Sequence, residues 1–321
     1  MNETQLPKTY ELYSHIAVMG AGAVGGYFGG MLARAGMRVT FIGRAAFVDA
    51  VKRNGLFIDS VNFQETVRVE ASSDPSAAQG ADLVLLCVKT LDTESAAKAL
   101  EPHVAPGCIV LSLQNGVENV DEIRATTKLA ALPAVVYVGA STPEPGRVKH
   151  GARGDLVIGV SKSDREVGND LQDSVARIAA TFEKAGVPCK ISENIDADLW
   201  SKLLLNCAGN AIAAIGQVGY GAIVCEPMSR ELVITTAREV VNVASAAGIE
   251  LLGEQLIAGG VKFLEGMKDV TSSTAQDVAR KKKTEIDALN GVIVRKGKEF
   301  GVPTPANFAL TALVKLIESK F

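Results

Sequence analysis

From His15 to about Gly159 the chain alternates short apolar runs with stretches of helical length. The runs are "HIAVMG", "RVTFIG", "ADLVLLCVK", "CIVLSLQNG", "AVVYVGAS" and "DLVIGV". Strands apolar at every position need cover on both faces, which a parallel sheet between helices supplies. The pattern predicts a doubly wound α/β domain. The turn-rich segment "STPEPGRVKHGARGD" (141–155) predicts a hairpin at the far edge of the sheet. Polar "SKSDREVGND" (161–170) predicts a loop before the helix "LQDSVARIAATFEKAG", with Gly186 as its C-terminal stop.

After Cys189 the strand pattern ends. Helical periodicity continues over about 196–215, 228–247, 254–267, 273–300 and 306–319, which predicts an all-α domain. The change near residue 193 sets the expected organisation: a flexible tail over 1–14, the α/β domain over 15–193 and a helical domain over 194–321. Asn194 or Asp196 is the expected cap of the first C-terminal helix. A chain of 321 residues has enough apolar sequence for a core in each domain.

Composition narrows the function classes. Lys plus Arg total 33 against 36 Asp plus Glu, so no basic face for nucleic acid is expected. Arg280, Lys281, Lys282 and Lys283 are read as a solvated helix face. Cys87, Cys108, Cys189, Cys207 and Cys225 contain no CxxC pair and fit a reducing, cytoplasmic compartment. No signal peptide, membrane span or metal-ligand cluster is expected. His15, His103 and His150 are assigned structural or surface roles.

"GAGAVGG" places Gly20, Gly22 and Gly25 in GxGxxG spacing, directly after a strand and at the start of a helix. The first glycine permits the tight turn, the second admits a pyrophosphate to the backbone, and the third lets helix and strand pack closely. The expected cofactor contacts are Gly20, Ala21, Gly22, Ala23, Val24 and Gly25. The second strand ends in Gly43-Arg44 instead of the acid that binds an unphosphorylated ribose, so Arg44 favours NADP(H); the alternative is a solvated surface arginine. Two other strand ends point at the cofactor crevice: Lys89, and Gln114-Asn115-Gly116. Their alternatives are a surface cation and a plain turn.

"LWSKLLLNCAGNAIAAIG" (199–216) is almost wholly apolar or small, yet it carries Lys202, Asn206 and Asn210. Spaced four apart on a helix, the three form one polar stripe on an otherwise buried rod. A buried ammonium needs a counter-charge, a ligand or a route to solvent. The stripe therefore marks either an active site or a snorkelling lysine beside two packing asparagines.

Together, GAGAVGG with Arg44, "CVK" ending in Lys89, "QNG" at 114–116, "LWSKLLLNCAGN" and "SSTAQDVARKKKTEIDALNG" (272–291) resemble the ketopantoate reductase family over almost the full chain. The resemblance implies a Rossmann domain and a helical C-terminal domain of the 6-phosphogluconate-dehydrogenase-like kind, with the active site in the cleft between them. It implies an NADPH-dependent reductase of a branched 2-oxo acid, 2-dehydropantoate, on the route to pantothenate and coenzyme A. Lys202 matches the family's catalytic lysine and Glu285 its motif glutamate. Asn115 matches the QNG-type asparagine near nicotinamide and substrate, Asn206 and Asn210 match the asparagines that follow the lysine on its helix and are expected to bind substrate, and Ser273 matches the serine that binds the substrate carboxylate. For Ser273 a helix N-cap is the alternative reading. The expected partner is a small-molecule 2-oxo acid, and the family admits a homodimer through the helical domain.

Hydride arriving at C2 of a 2-oxo acid leaves negative charge on the former carbonyl oxygen, which needs a proton and a cation beside it. Lys202 can supply both. Desolvation disfavours its ammonium form while a carboxylate such as Glu285 favours it. Ser273 and Glu285, twelve residues apart on the expected 273–300 helix, would line one groove, with Asp277 and Lys281 as a helix-supporting pair between them. The sequence departs from the family after Asn210, where "AIAAIG" replaces Pro, an aliphatic residue and Thr. It departs also at Val270, where Asn is usual, and in "SSTAQD" for SSMLQD. These changes touch the substrate pocket. They leave open a reductase or dehydrogenase of another bulky acid of D-mandelate type and, in a different class, a non-catalytic NADPH-binding regulator.

Overall fold

The computed structural model describes residues 10–162, 164–165 and 170–321. Most of the expected tail, residues 1–9, and part of the expected 161–170 loop lie outside the described residues. The last residues of that tail are docked: Tyr13 is buried beneath the Arg177 guanidinium, 3.9 Å from its ring centroid. Ser14 donates its N–H and hydroxyl to Asp82, both at 3.0 Å.

The chain forms two compact units. The first contains residues up to Gln114 and Asn119–Ile195; the second contains Asn115–Glu118 and Asp196–Phe321. No helix among the described residues is long and apolar enough to cross a membrane.

The first unit runs β1 (His15–Met19), α1 (Ala23–Arg34), β2 (Arg38–Ile42), α2 (Ala45–Asn54), β3 (Leu56–Ser60), β4 (Gln64–Val67), β5 (Glu70–Ser72), β6 (Leu83–Leu86), α3 (Thr93–Leu100), β7 (Ile109–Ser112), α4 (Asn119–Thr126), β8 (Ala130–Glu144), β9 (Arg147–Ile158), α5 (Asp170–Lys184) and β10 (Cys189–Ile191). The described strands join in the order β4-β3-β9-β8-β7-β6-β1-β2-β5, with β10 on β9. From β5 to β8 every pairing is parallel. Alternation along β6 explains why both faces are covered. Leu83 and Leu85 enter a core with Phe28, Phe41 and Phe182, whereas Val84 and Leu86 enter one with Leu100 and Ile123. Helix α1 packs closely because its sheet-facing positions lack side chains: a Cβ on Gly29 would stand 2.7 Å from Phe41 and Val18 atoms.

Two expectations change here. The β8–β9 hairpin is antiparallel with its turn at Pro145-Gly146, but it is internal to the sheet, since β9 also pairs in parallel with β3 and β10. The short strands β3, β4, β5 and β10 were absent from the apolar runs. Gln64, Glu65 and Thr66 of β4 are exposed, and pairing with β3, not burial, makes that segment a strand. The stop at Gly186 is present, with φ +72 after α5.

The second unit runs α6 (Ile195–Gly216), α7 (Tyr220–Cys225), α8 (Pro227–Ala246), α9 (Gly253–Gly266), α10 (Ser273–Ala279), α11 (Asn290–Phe300) and α12 (Pro305–Glu318). Asn194 precedes the first residue of α6, and Asp196 lies in its first turn. Leu203, Leu204, Cys207 and Ala211 of α6 pack with Val240, Val292, Ile293 and Val314. A buried polar network ties four helices together. Asn290 of α11 donates to the Cys207 carbonyl and to the Asn307 side-chain oxygen, both at 3.0 Å. Glu239 of α8 accepts from the N–H groups of Ala306 and Asn307 at 2.8 and 2.9 Å. Its carboxylate thereby satisfies the donors at the N-terminus of α12.

The expected 273–300 helix is three pieces. Helix α10 ends at Ala279, Lys281 adopts φ +53, and a short 3₁₀ turn over Ile286–Ala288 precedes α11. A buried carboxylate from the far end of the chain holds the break. Glu318 accepts from both the N–H and the hydroxyl of Thr284, at 2.7 and 2.6 Å, taking that residue out of the helical ladder. Arg280 to Lys283 are therefore exposed on a break, not on a helix face, and Asp277 and Lys281 are not neighbours on one helix.

Candidate active site

The glycine loop is built by close approach. Gly20 leaves β1 with φ +104, and a Cβ there would stand 2.6 Å from the Cys87 carbonyl carbon and the Val88 nitrogen. At Gly25 a Cβ would lie 2.1 Å from the Gly20 carbonyl oxygen. These two glycines are demanded by the protein itself. Gly22 is different: it is exposed at the N-cap of α1, and a Cβ there would have nothing within 4 Å. The loop thus holds its shape through Gly20 and Gly25 and keeps an open, side-chain-free approach at Gly22, before the N–H donors of α1. That is the fit a dinucleotide pyrophosphate requires. The neighbours of β1 are β2 and β6, so the loop lies at the point where the strand order reverses.

The adjoining strand ends come to the same place. Gly43 follows β2 closely beside the loop, where a Cβ would be 2.8 Å from that of Ala21. Next comes exposed Arg44, whose side chain has no hydrogen bond or ion pair among the described residues. Past β6, Cys87 fills the space under Gly20 and Gly25, and burial pushes its thiol up, so it stays a neutral spacer. Lys89 follows at the start of the turn Thr90–Asp92. Gln114 has a supporting place: buried, it donates to the Val88 carbonyl at 3.1 Å and the Thr93 hydroxyl at 2.7 Å, bracing the Lys89 turn.

In the second unit, Lys202, Asn206 and Asn210 lie along α6 as a stripe. Lys202 and Asn206 are half-buried and Asn210 is buried. The Asn210 side-chain oxygen accepts from Tyr220 at 2.7 Å, and burial pushes that phenol up to about 12, keeping it a donor. The Asn210 carbonyl accepts from the Ser272 hydroxyl at 3.2 Å. Ser272 in turn caps α10, accepting from the Ala275 N–H at 3.0 Å. The cap is therefore Ser272 and not Ser273, which stands exposed in the first turn of α10. The break after α10 also corrects the expectation that Ser273 and Glu285 share one helix. Glu285 is set instead by Thr284 and the turn behind it, and it accepts from the Asn115 amide at 3.0 Å across 170 residues of sequence. A carboxylate can only accept, so this contact fixes which end of the Asn115 amide faces it.

Residues 16–163 match the family model Ketopantoate reductase PanE/ApbA, and residues 194–318 match its C-terminal counterpart. The chain belongs to the ketopantoate reductase family. It is 33% identical to the 2-dehydropantoate 2-reductase of Pyrococcus horikoshii over 95% of this chain and 97% of that one. A PanE/ApbA family ketopantoate reductase structure from Ralstonia eutropha JMP134 is 48% identical, with a TM-score of 0.87 over 95% of this chain and 99% of that one. The structure of D-mandelate dehydrogenase with NADH and anilino(oxo)acetate is 26% identical, with a TM-score of 0.88 over 95% and 98% of the two chains. The family is one of NAD(P)-dependent oxidoreductases acting on small molecules.

Within this ketopantoate reductase fold, sequence reasoning missed three supports: Tyr220, Ser272 and Glu318. Tyr220 carried no motif. Ser272 was hidden by its neighbour in "TSST". Glu318 acts on a residue 34 positions away, a link that helical periodicity does not contain.

Proposed function

We propose that this protein reduces 2-dehydropantoate to pantoate with NADPH. The observation that carries the reading is the stripe on α6, which keeps Lys202 half-buried one turn from Asn206 on a helix whose Trp200, Leu203, Leu204 and Cys207 enter the core. The family and the names of its relatives supply the reaction class. When bound, NADPH supplies the hydride. Gly20, Ala21, Gly22, Ala23, Val24 and Gly25 would hold its pyrophosphate through backbone, Arg44 its 2′-phosphate, and Lys89 would add positive charge at the neighbouring strand end.

Lys202 gives its proton to the former carbonyl oxygen as that oxygen becomes a hydroxyl, and its charge stabilises the developing alkoxide. Asn206 and Asn115 orient the 2-oxo acid, with Glu285 holding the Asn115 amide. Ser273 donates to the substrate carboxylate from the first turn of α10. Asn210 acts one step back, through Tyr220 and the Ser272 cap. The test is Lys202→Ala. Turnover is expected to fall about 10³-fold while the NADPH dissociation constant changes less than about twofold. Retained turnover, or loss of NADPH binding, contradicts the assignment.

A further inference from the structure

Residues 115–118 pack with the helical unit, although Gln114 and Asn119 on either side pack with the sheet unit. Gly116 turns this strap with φ +97, and Val117 packs against the helical core. Glu118 anchors it: its carboxylate accepts from Nη2 of Arg295 at 2.7 Å and lies 3.3 Å from Nζ of Lys296. The other arm of the same guanidinium, Nη1, donates to the Asp287 carbonyl oxygen at 2.9 Å. Asp287 lies two residues beyond Glu285, in the 3₁₀ turn that Glu285 precedes. One planar side chain therefore joins the strap carrying Asn115 to the turn carrying Glu285.

We infer that Arg295 is a positioning residue, which sets the Asn115–Glu285 contact by holding Glu118 and Asp287 at once. The inference rests on the reading that Asn115 and Glu285 serve the ligand site. Two considerations favour a geometric over a stabilising role. The side chains of Arg295 and Glu118 are 54% and 39% exposed, and ion pairs so exposed add little to stability. The turn already has its own anchor, since Lys315 holds both Asp287 carboxylate oxygens at 2.6 and 2.8 Å. What Arg295 adds is the link to the strap. A guanidinium presents two N–H arms in a fixed plane, whereas an ammonium is a single point that cannot reproduce the fork.

The experiment compares Arg295→Met, Arg295→Lys and Lys296→Met in the full-length protein. It reads amide hydrogen exchange over 115–118 and 285–288, kcat and KM for 2-dehydropantoate, and the thermal unfolding midpoint. Arg295→Met is expected to speed exchange over 115–118 and to lower kcat about tenfold, with a smaller change in KM and an almost unchanged unfolding midpoint. Arg295→Lys should fall between Arg295→Met and the parent. Lys296→Met, which leaves the bridge intact, should stay within about twofold of the parent. Unchanged exchange over 115–118 in Arg295→Met overturns the inference, as does unchanged kcat or an equal effect of Lys296→Met. A parent protein inert toward 2-oxo acids would instead contradict the functional reading, and exchange alone would still decide whether Arg295 holds the strap.

Discussion

The two units build their candidate ligand groups in opposite ways. The sheet unit relies first on backbone, with Arg44 and Lys89 beside it: six consecutive residues, Gly20 to Gly25, shaped by what a side chain would strike at two glycines and by open space at a third. The helical unit uses side chains from separate segments, placed by contacts such as Asn115 to Glu285, Ser272 to Asn210 and Thr284 to Glu318. A backbone site is encoded by where side chains are missing, so it is local and contiguous. A side-chain site is encoded by helix breaks and caps, whose causes lie elsewhere in the chain.

Substitutions can break this contrast. The largest effect is expected at Gly25, where the added Cβ meets backbone at 2.1 Å. Gly25→Ala should cost about 3 kcal/mol or more of stability and abolish NADPH binding. Gly22→Ala meets no protein atom, so it should cost less than about 1 kcal/mol in stability. It should still weaken NADPH at least about tenfold, equivalent to about 1.4 kcal/mol. Thermal unfolding and fluorescence titration on the pair check this, and equal behaviour of the two variants would end the distinction between shape and approach.

In the helical unit, Glu318→Ala strands the buried N–H and hydroxyl of Thr284. An expected loss of about 2–4 kcal/mol should appear in urea unfolding, with reduced turnover because Glu285 follows Thr284 directly. A variant with full stability and unaltered turnover would mean that the break in 280–289 does not depend on this carboxylate. The smallest effect is expected at Arg44. Arg44→Ala should raise the NADPH dissociation constant about tenfold and leave NADH within about twofold, since the lost contact is a charge-assisted one to the 2′-phosphate. Equal weakening of both cofactors would remove Arg44 as the discriminating residue.

Much of the sheet unit was legible because its signals are local. Apolar runs marked β1, β2 and β6 to β9, and the glycine spacing marked the loop. The strands β3, β4, β5 and β10 were not, because they are short and pairing defines them. On α6 the stripe was legible through four-residue spacing. Around Ser273 and Glu285 the composition of 273–300 is helical throughout, and contacts from elsewhere in the unit, Glu318 to Thr284 among them, hold the break. Ser272 was indistinguishable from Ser273 as a cap until Asn210 and Ala275 supplied its partners.

The central claim is that this chain is an NADPH-dependent reductase whose pocket takes a branched 2-oxo acid. The most direct measurement is the initial rate of NADPH oxidation with 2-dehydropantoate against a panel of aliphatic and aromatic 2-oxo acids, including benzoylformate, repeated with NADH. The account predicts that 2-dehydropantoate stands well above the panel and that NADPH is preferred. An aromatic acid in first place would contradict the substrate assignment and turn attention to Val270, which is 43% exposed three residues before Ser273. No turnover on any 2-oxo acid, with NADPH still bound, would contradict the enzyme itself.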